Sequence, residues 1–221
     1  MTERSQALTI DVVSDVVCPW CYLGKKRLER ALVKEPGDIE VRWRPYQLDP
    51  TIPPDGLDRK DYMRKKFGED GRLEQVHDRL RALGAEEGIA YAFDKIERAP
   101  NTLDAHRLIR WAAEAGVQDA VVEKLFSLYF EQGRDIGDRK ILVEVARQAG
   151  MDADNVEERL ADNVDEKEVR QEIAQAQSLG VTGVPFFIVA SRFGVPGAQS
   201  PEVLSTAIDR ARKSLAGIET I

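Results

Sequence analysis

The chain has 221 residues, with 39 acidic and 32 basic side chains, a net charge of −7 and only two cysteines. This length fits one large domain or two small ones, and it is enough to bury a core without disulfide bonds. The acidic balance argues against a nucleic-acid partner, because binding to a phosphate backbone needs basic side chains. No apolar tract is long enough for a membrane helix, and the first residues lack the apolar segment of a signal peptide. We therefore expect a cytoplasmic protein that has no membrane partner.

The first part of the chain predicts a strand, a helix and a second strand. Residues 8–14 are β-branched and short, as in a buried strand. The next segment carries leucines at helical spacing, and Pro19 suits the first turn of that helix. Residues 39–45 alternate between apolar and polar side chains, which indicates a second strand with one buried face. The proline-rich residues 51–56 then form a loop that marks a structural boundary.

The middle of the chain is almost entirely helical in its pattern. Thr102 is predicted to cap one of these helices and Asp138 another. Strand signals return only at residues 185–190 and 192–195, which predicts a hairpin, and a last helix is predicted to begin near Ser200.

This order of elements predicts an α/β fold in which a large all-helical domain interrupts a single sheet. Residues 1–57 and 166–221 are expected to form the sheet-bearing, discontinuous domain. Residues 58–165 are expected to form the inserted helical domain.

The two cysteines stand in the motif Cys18-Pro19-Trp20-Cys21, at the predicted start of the first helix. The positive end of a helix dipole favours thiolate over thiol, and such motifs lower the pKa of a cysteine. Cys18, the outer residue, is therefore the candidate nucleophile. Cys21, one turn further along, would resolve the mixed disulfide that Cys18 forms.

Three other interpretations of the cysteine pair are possible. A zinc site needs four ligands, but there is no second cysteine pair, and His77 and His106 fall on different predicted helices, so we expect no metal. A structural disulfide would close only a very small loop and stabilise little. The pair could also be inert in the core. Redox chemistry is favoured over these, because this motif beside a β-α-β pattern is typical of redox proteins.

A second candidate feature is the Val184-Pro185 bond, in a loop that leads into the predicted hairpin. Proline is tolerated at the start of a strand in the trans form. A cis bond there would turn the backbone of Val184 outward, towards a bound peptide or thiol. Spacing alone leaves both forms open.

The chain resembles the DsbA family of the thioredoxin superfamily, and within it the FrnE-like branch that is related to 2-hydroxychromene-2-carboxylate isomerases. The matching segments span nearly the whole chain and are residues 14–24, 43–48, 101–107, 133–138, 183–187 and 194–199. The resemblance implies a thioredoxin-like fold with a helical insertion, a redox-active Cys18–Cys21 pair and a cis Pro185 packed beside it.

This sequence departs from the family pattern at two places. Thioredoxin-like proteins often carry a buried acid where this chain has Val12, and the sequence assigns neither Asp11 nor Asp15 to that role. Some FrnE-like proteins have an extra cysteine pair near the C-terminus, which is absent here. The related isomerases use serine at the position of Cys18.

Several further residues have two interpretations. Asn101 and His106 belong to a family-like segment and would then line the cleft, but a helix cap and a core histidine are the ordinary alternatives. His77 is predicted to be a solvated helix residue. Residues 197–200 could hold a carboxylate such as that of glutathione, although an ordinary helix cap is favoured.

The leading functional hypothesis is a thiol–disulfide oxidoreductase in which Pro19, Trp20, Val184 and Pro185 form the docking surface for substrate. Its partners would be protein or small-molecule thiols and disulfides. No bound cofactor is expected, glutathione is a possible co-substrate, and the protein would be a monomer or a homodimer. The alternatives are a glutathione-dependent isomerase or transferase for a small aromatic or polyketide-like substrate, favoured by a deep apolar cleft, and a chaperone that uses the same groove without turnover.

Overall fold

The computed structural model of the protein describes residues 8–217. The strands, in chain order, are β1 (Leu8–Ser14), β2 (Ile39–Pro45), β3 (Leu57–Asp58), β4 (Arg98–Ala99), β5 (Phe186–Val189) and β6 (Phe193–Pro196). The helices are α1 (Pro19–Leu32), α2 (Arg59–Phe67), α3 (Arg72–Glu86), α4 (Leu103–Glu114), α5 (Gln118–Phe130), α6 (Arg139–Gln148), α7 (Ala153–Ala161), α8 (Glu166–Ser178) and α9 (Pro201–Leu215).

The main sheet has four strands in the order β2-β1-β5-β6. β1 and β2 run parallel, from the pair Leu8–Ile39 to the pair Ser14–Pro45, and α1 provides the crossover between them. β5 is antiparallel to β1, and β6 completes the predicted hairpin with β5. The chain therefore has the predicted α/β fold, with strands from both ends in one sheet and a run of helices between them.

The central strand β1 buries both of its faces, which explains its nearly continuous apolar sequence. Successive side chains point to opposite faces of a sheet. Val12 accordingly lies in the main hydrophobic cluster, whereas Val13 packs in a second cluster with Ala176 of α8.

The main hydrophobic cluster extends from the sheet into the helical segment, which is the part of the chain between β2 and β5. Tyr22 of α1 stacks on Phe126 of α5, with 5.0 Å between ring centroids, and Tyr91 contacts both Tyr22 and Phe130 edge-on. Because aromatic side chains bury large areas, this cluster fixes α1 against the helices that follow β2. The division of the chain into a sheet-bearing domain (residues 1–57 and 166–221) and an inserted helical domain (residues 58–165) remains a prediction.

An ion network around the buried Lys25 side chain also joins α1 to α5. The Lys25 ammonium group is 3.0 Å from a carboxylate oxygen of Asp119 and 3.0 Å from one of Glu123, and it also contacts Glu29. Burial alone would lower the pKa of Lys25, but the surrounding carboxylates outweigh burial and raise that pKa.

The helix caps are partly as predicted. Asp138 caps α6 by accepting from the Lys140 N–H, and Ser200 caps α9 by accepting from the Val203 N–H. Thr102 holds the cap position of α4, but its side chain makes no capping hydrogen bond. The prediction for Thr102 was wrong in that respect, because the neighbouring Asn101 side chain accepts from the first free N–H, that of Leu103, at 3.0 Å.

Two features of the fold lie outside the predicted pattern. The two-residue strands β3 and β4 pair with each other in a separate small sheet beside the start of α2. The hairpin turn between β5 and β6 places Ala190 and Ser191 at φ values of 52° and 54°, a region that glycine and asparagine usually occupy. Within residues 8–217, no helix is both long and apolar enough to cross a lipid bilayer.

Candidate functional site

The cysteine pair lies where β1 gives way to α1. The chain turns after Ser14, and the Cys18 N–H donates to the Asp15 carbonyl at 3.0 Å. Cys18 is the N-cap residue and Pro19 the first residue of the helix, as predicted. The N–H groups of Cys21 and Tyr22 both donate back to the Cys18 carbonyl. The Cys18 side chain is thereby placed at the positive end of α1.

The two thiols differ in their access to solvent. Cys18 is 4% exposed and lines a cleft, whereas Cys21 is completely buried. Burial, together with the proximity of Cys18, raises the pKa of Cys21 well above its ordinary value, although the Ser14 hydroxyl and the Asp15 backbone act in the opposite direction. Cys21 is therefore held as a neutral thiol behind Cys18.

The loop before β5 packs directly against the cysteine pair. The Val184–Pro185 peptide bond is cis. The Cys18 thiol donates to the Val184 carbonyl, with 3.6 Å between the sulfur and the oxygen, and Pro185 is buried against α1. This approach depends on Gly24, since a Cβ atom there would lie 2.9 Å from Pro185 Cγ.

A tyrosine from the helical segment holds the first turn of α1. The Tyr91 hydroxyl donates to the Pro19 carbonyl at 2.6 Å. Burial, followed by the nearby Cys18, raises the pKa of Tyr91, so its hydroxyl keeps the proton that it donates. Trp20 is partly exposed at the cleft, with the Arg79 guanidinium 5.8 Å from its ring centre.

Behind the cysteine pair lies a buried acid–histidine pair. His106 Nε2 is 3.4 Å from Asp15 Oδ1, and both side chains are almost completely excluded from solvent. The second oxygen of Asp15 accepts from the Leu48 N–H at 2.8 Å. In thioredoxin-like proteins the buried acid often stands at the position of Val12, and the sequence did not assign that role to Asp15. No signal in the sequence indicated that Asp15 would lie beside His106.

The structure does not bring Asn101 or His106 into the cleft wall. His106 is covered by Asp15, which lines the cleft in its place. Asn101 is occupied structurally: its Nδ2 donates to the Ile52 carbonyl at 2.6 Å, and its Oδ1 accepts from the Gln47 side chain at 3.1 Å. Asn101 thus fixes the loop that carries one side of the cleft.

The cleft beside Cys18 has a volume of about 630 Å³, with α2 and α3 contributing to its walls. Its wall is mainly apolar and includes Val17, Trp20, Ile52, Met63, Leu80 and Val184. This size is within the range of small-molecule sites.

His77 also lines this cleft, so the prediction of a solvated helix residue was wrong. Its side chain is 12% exposed and stacks on Phe93, with 4.0 Å between ring centroids. Burial, and after it the charge of Arg59, lower the pKa of His77, although Glu74 opposes this shift. The charged neighbours of His77 in the sequence gave no indication of that contact.

Metal ligands do not gather in the described part of the chain, where no group of three or more His, Cys, Asp or Glu side chains could hold a metal ion. The residues 197–200, considered as a carboxylate site, form the approach to α9, with Ser200 as its cap and the Arg27 side chain donating to the Ala198 carbonyl at 2.7 Å.

Comparison with known proteins shows which folds and sequences this chain is similar to. The chain is 36% identical to a probable DsbA oxidoreductase from Streptomyces coelicolor, with a TM-score of 0.86 over 97% of this chain and 92% of that one. A 2-hydroxychromene-2-carboxylate isomerase shares the fold at 17% identity, with a TM-score of 0.71 over 96% of this chain and all of that one. So does the cytosolic disulfide reductase DsbM from Pseudomonas aeruginosa, solved with GSH, at 19% identity and a TM-score of 0.62 over 95% and 98% of the two chains.

The match to a protein family covers most of the chain. Residues 9–209 match the DSBA-like thioredoxin domain, a span that includes the cysteine pair, the cis proline and the whole helical segment. The chain therefore belongs to the family of DSBA-like thioredoxin domains.

Proposed function

We propose that this protein is a thiol–disulfide oxidoreductase in which Cys18 is the nucleophile and Cys21 the resolving residue. The observation that carries the proposal is the contrast between the two thiols. Cys18 stands at the positive end of α1 and reaches the cleft, whereas Cys21 is buried one turn behind it with a raised pKa. Helix N-termini favour thiolate, and a thiolate is the species that attacks a disulfide.

The proposed reaction is two successive thiol–disulfide exchanges. The Cys18 thiolate attacks one sulfur of the substrate disulfide, a bond forms between that sulfur and Cys18 Sγ, and the other sulfur leaves as a thiolate with the bonding electrons. Cys21 then loses its proton and attacks Cys18 Sγ, which releases the second substrate thiolate. The substrate gains two electrons and the cysteine pair becomes a disulfide. An external dithiol restores the reduced pair by the reverse exchange.

The proposed test is reduction of a disulfide substrate with a dithiol as electron donor. We expect Cys18→Ser to abolish turnover. Cys21→Ser should stop turnover after one exchange and leave a Cys18–substrate disulfide that intact-mass spectrometry detects. Full activity of Cys18→Ser would overturn the proposal, and so would a Cys21→Ser protein that accumulates no adduct.

The second candidate is a glutathione-dependent isomerase or transferase, favoured by the apolar cleft of about 630 Å³ beside Cys18. The isomerase that shares this fold supports the same candidate at the level of the fold. In that case Cys18 would hold or replace the glutathione thiol. Glutathione binding and isomerisation that survive Cys21→Ser would favour this candidate, whereas loss of turnover in that variant favours the oxidoreductase.

We also propose that the reaction takes place in the cytoplasm. The disulfide reductase DsbM, which shares the fold, is a cytosolic protein. Expression of the chain with a fluorescent tag in a bacterial host tests this directly.

A further inference from the structure

One cation in the cleft is not explained by the proposed redox chemistry. Arg59 is 8% exposed and lines the same cleft as Cys18. Within the part of the chain that the structure describes, its guanidinium contacts the hydroxyl of Tyr129 at 3.3 Å and lies 5.9 Å from that ring, and it makes no ion pair with a carboxylate. A buried charge without a counter-charge is costly in a folded protein.

The phenol beside Arg59 does not supply the missing charge. Burial raises the pKa of Tyr129 to about 12, even though Arg59 lowers it in part, so Tyr129 is neutral at physiological pH. Its hydroxyl also donates to the Arg98 carbonyl at 3.2 Å. Tyr129 therefore positions the guanidinium without neutralising it.

The two acids that share the cleft contact groups other than Arg59. Asp15 Oδ1 lies 3.4 Å from His106 Nε2 without a hydrogen bond between them, and Asp15 Oδ2 accepts from the Leu48 N–H. Asp49 accepts from the Tyr62 hydroxyl at 3.1 Å and from the Thr51 N–H at 3.0 Å. Neither carboxylate bonds to Arg59, whose positive charge remains available to a ligand.

The backbone holds Arg59 in place. The Arg59 N–H donates to the Glu97 carbonyl at 2.9 Å, and Asp58 caps α2 by accepting from the Asp61 N–H at 2.9 Å. Arg59 is the first residue of α2, where the helix dipole disfavours a cation, so helix stability does not explain its presence. An arginine held in advance of binding loses less entropy when it binds a carboxylate.

We infer that the cleft takes a small disulfide or thiol with an apolar body and a carboxylate, and that Arg59 binds the carboxylate while the sulfur faces Cys18. This inference rests on the proposed function and names its substrate class. The mainly apolar wall would bury the body of such a molecule, and the guanidinium would form charge-assisted hydrogen bonds with its anionic end. The chemistry at sulfur is the exchange described above.

Two aromatic disulfide probes separate charge recognition from sulfur chemistry. Dithiobis(nitrobenzoate) carries carboxylates and dithiodipyridine is neutral, and each would lose one aromatic thiolate when Cys18 attacks. The quantity to measure is the second-order rate constant of the reduced protein with dithiobis(nitrobenzoate), divided by the rate constant with dithiodipyridine. We expect Arg59→Gln to lower this ratio about tenfold or more. Arg59→Lys keeps the positive charge and should lower the ratio less than Arg59→Gln does.

The matched control is Arg64→Gln, which removes one positive charge from the same helix at an exposed position outside the cleft. We expect it to change the ratio less than about twofold, because exposed charges are screened. An equal change in Arg59→Gln and Arg64→Gln would overturn the inference and leave the proposed function intact. A wild-type Cys18 that reacts with neither probe would instead overturn the proposed function.

A measurement on the unmodified protein covers the case in which Arg59→Gln does not fold. Naphthoate, an apolar carboxylate without sulfur, should slow the reaction of Cys18 with dithiodipyridine, and the slowing should weaken as salt is added. Naphthamide has the same body without the charge and should protect much less. Equal protection by both compounds would overturn the inference.

Discussion

The Cys18 thiol donates to the Val184 carbonyl across 3.6 Å, although 166 positions separate the two residues in the chain. This contact joins the start of α1 to the loop before β5. It places the Val184 carbonyl beside Cys18 Sγ, and both residues line the cleft.

Gly24→Ala should destabilise the protein even though alanine is the better helix former. The added Cβ would lie 2.9 Å from Pro185 Cγ and 3.2 Å from Phe187 Cζ, so α1 and the proline loop would have to move apart. Overpacking of this kind costs about 1–3 kcal/mol, which exceeds the roughly 1 kcal/mol of helix propensity that alanine adds. Urea denaturation measures the change.

Gly183→Ala is the control, in the loop that carries Pro185, because a Cβ at position 183 meets nothing within 4 Å. We expect it to change the free energy of unfolding by less than about 0.5 kcal/mol. A Gly24→Ala protein that is more stable than the wild type would show that the close packing of α1 on Pro185 is absent in solution.

Tyr91→Phe should loosen the first turn of α1. The change keeps the ring in the aromatic cluster but removes the hydroxyl that donates to the Pro19 carbonyl. We expect a loss of about 1 kcal/mol in the free energy of unfolding. The amide hydrogens of Cys21 and Tyr22, which bond to the Cys18 carbonyl, should exchange faster. Unchanged exchange at both amides would contradict this role of Tyr91.

Glu123→Gln should lower stability at neutral pH and much less in acid. Burial would raise the pKa of Glu123, but Lys26 and Lys25, at 2.6 and 3.0 Å, outweigh burial and lower it. A carboxyl whose folded pKa is lowered stabilises the fold above its unfolded pKa of about 4.3, and that stabilisation disappears as pH falls through the folded pKa. Because Glu123 is partly exposed, we expect about 1 kcal/mol at pH 7.

Unfolding curves of the wild type and Glu123→Gln, measured from neutral pH to acid, check this pH dependence. The difference between the two proteins should shrink below about pH 4.3. The exposed Glu157→Gln serves as the control and should show no comparable pH-dependent difference. A difference that stays constant over the whole range would exclude the ion pairs of Glu123 as its source.

Ser191→Gly should stabilise the hairpin. Ser191 has a φ of 54°, which a residue with a side chain adopts only at a cost. Glycine removes that cost but has more freedom in the unfolded chain, so we expect a net gain of up to about 1 kcal/mol and a higher Tm. Ser205→Gly, within α9, should have the opposite effect because glycine disfavours a helix interior. A lower Tm for Ser191→Gly would contradict the turn geometry.

Local sequence signals were sufficient for the parts of the site that depend on neighbouring residues. A proline after Cys18 predicts the helix start, and the serine before Pro201 predicts the cap of α9, because both act within one turn of the chain. The family resemblance added the position of Pro185. These predictions involve no contact between distant segments.

Long-range contacts were beyond the reach of the same signals. Asp15 meets His106, and Tyr91 meets Pro19, only because α1 and the helical segment pack together. His77 stood among charged neighbours in the sequence, yet its ring stacks on Phe93. Spacing within one helix describes which face a residue shares, but not which distant side chain covers that face.

The bond from Tyr91 to the Pro19 carbonyl has a consequence for protein engineering. The helical segment supplies part of the scaffold of the Cys18–Cys21 motif as well as part of the cleft wall. A chimaera that exchanges this segment for that of a relative would therefore alter both the shape of the cleft and the geometry of the cysteine pair. Grafting the segment as a self-contained unit should succeed only when the donor brings its own tyrosine to the same carbonyl.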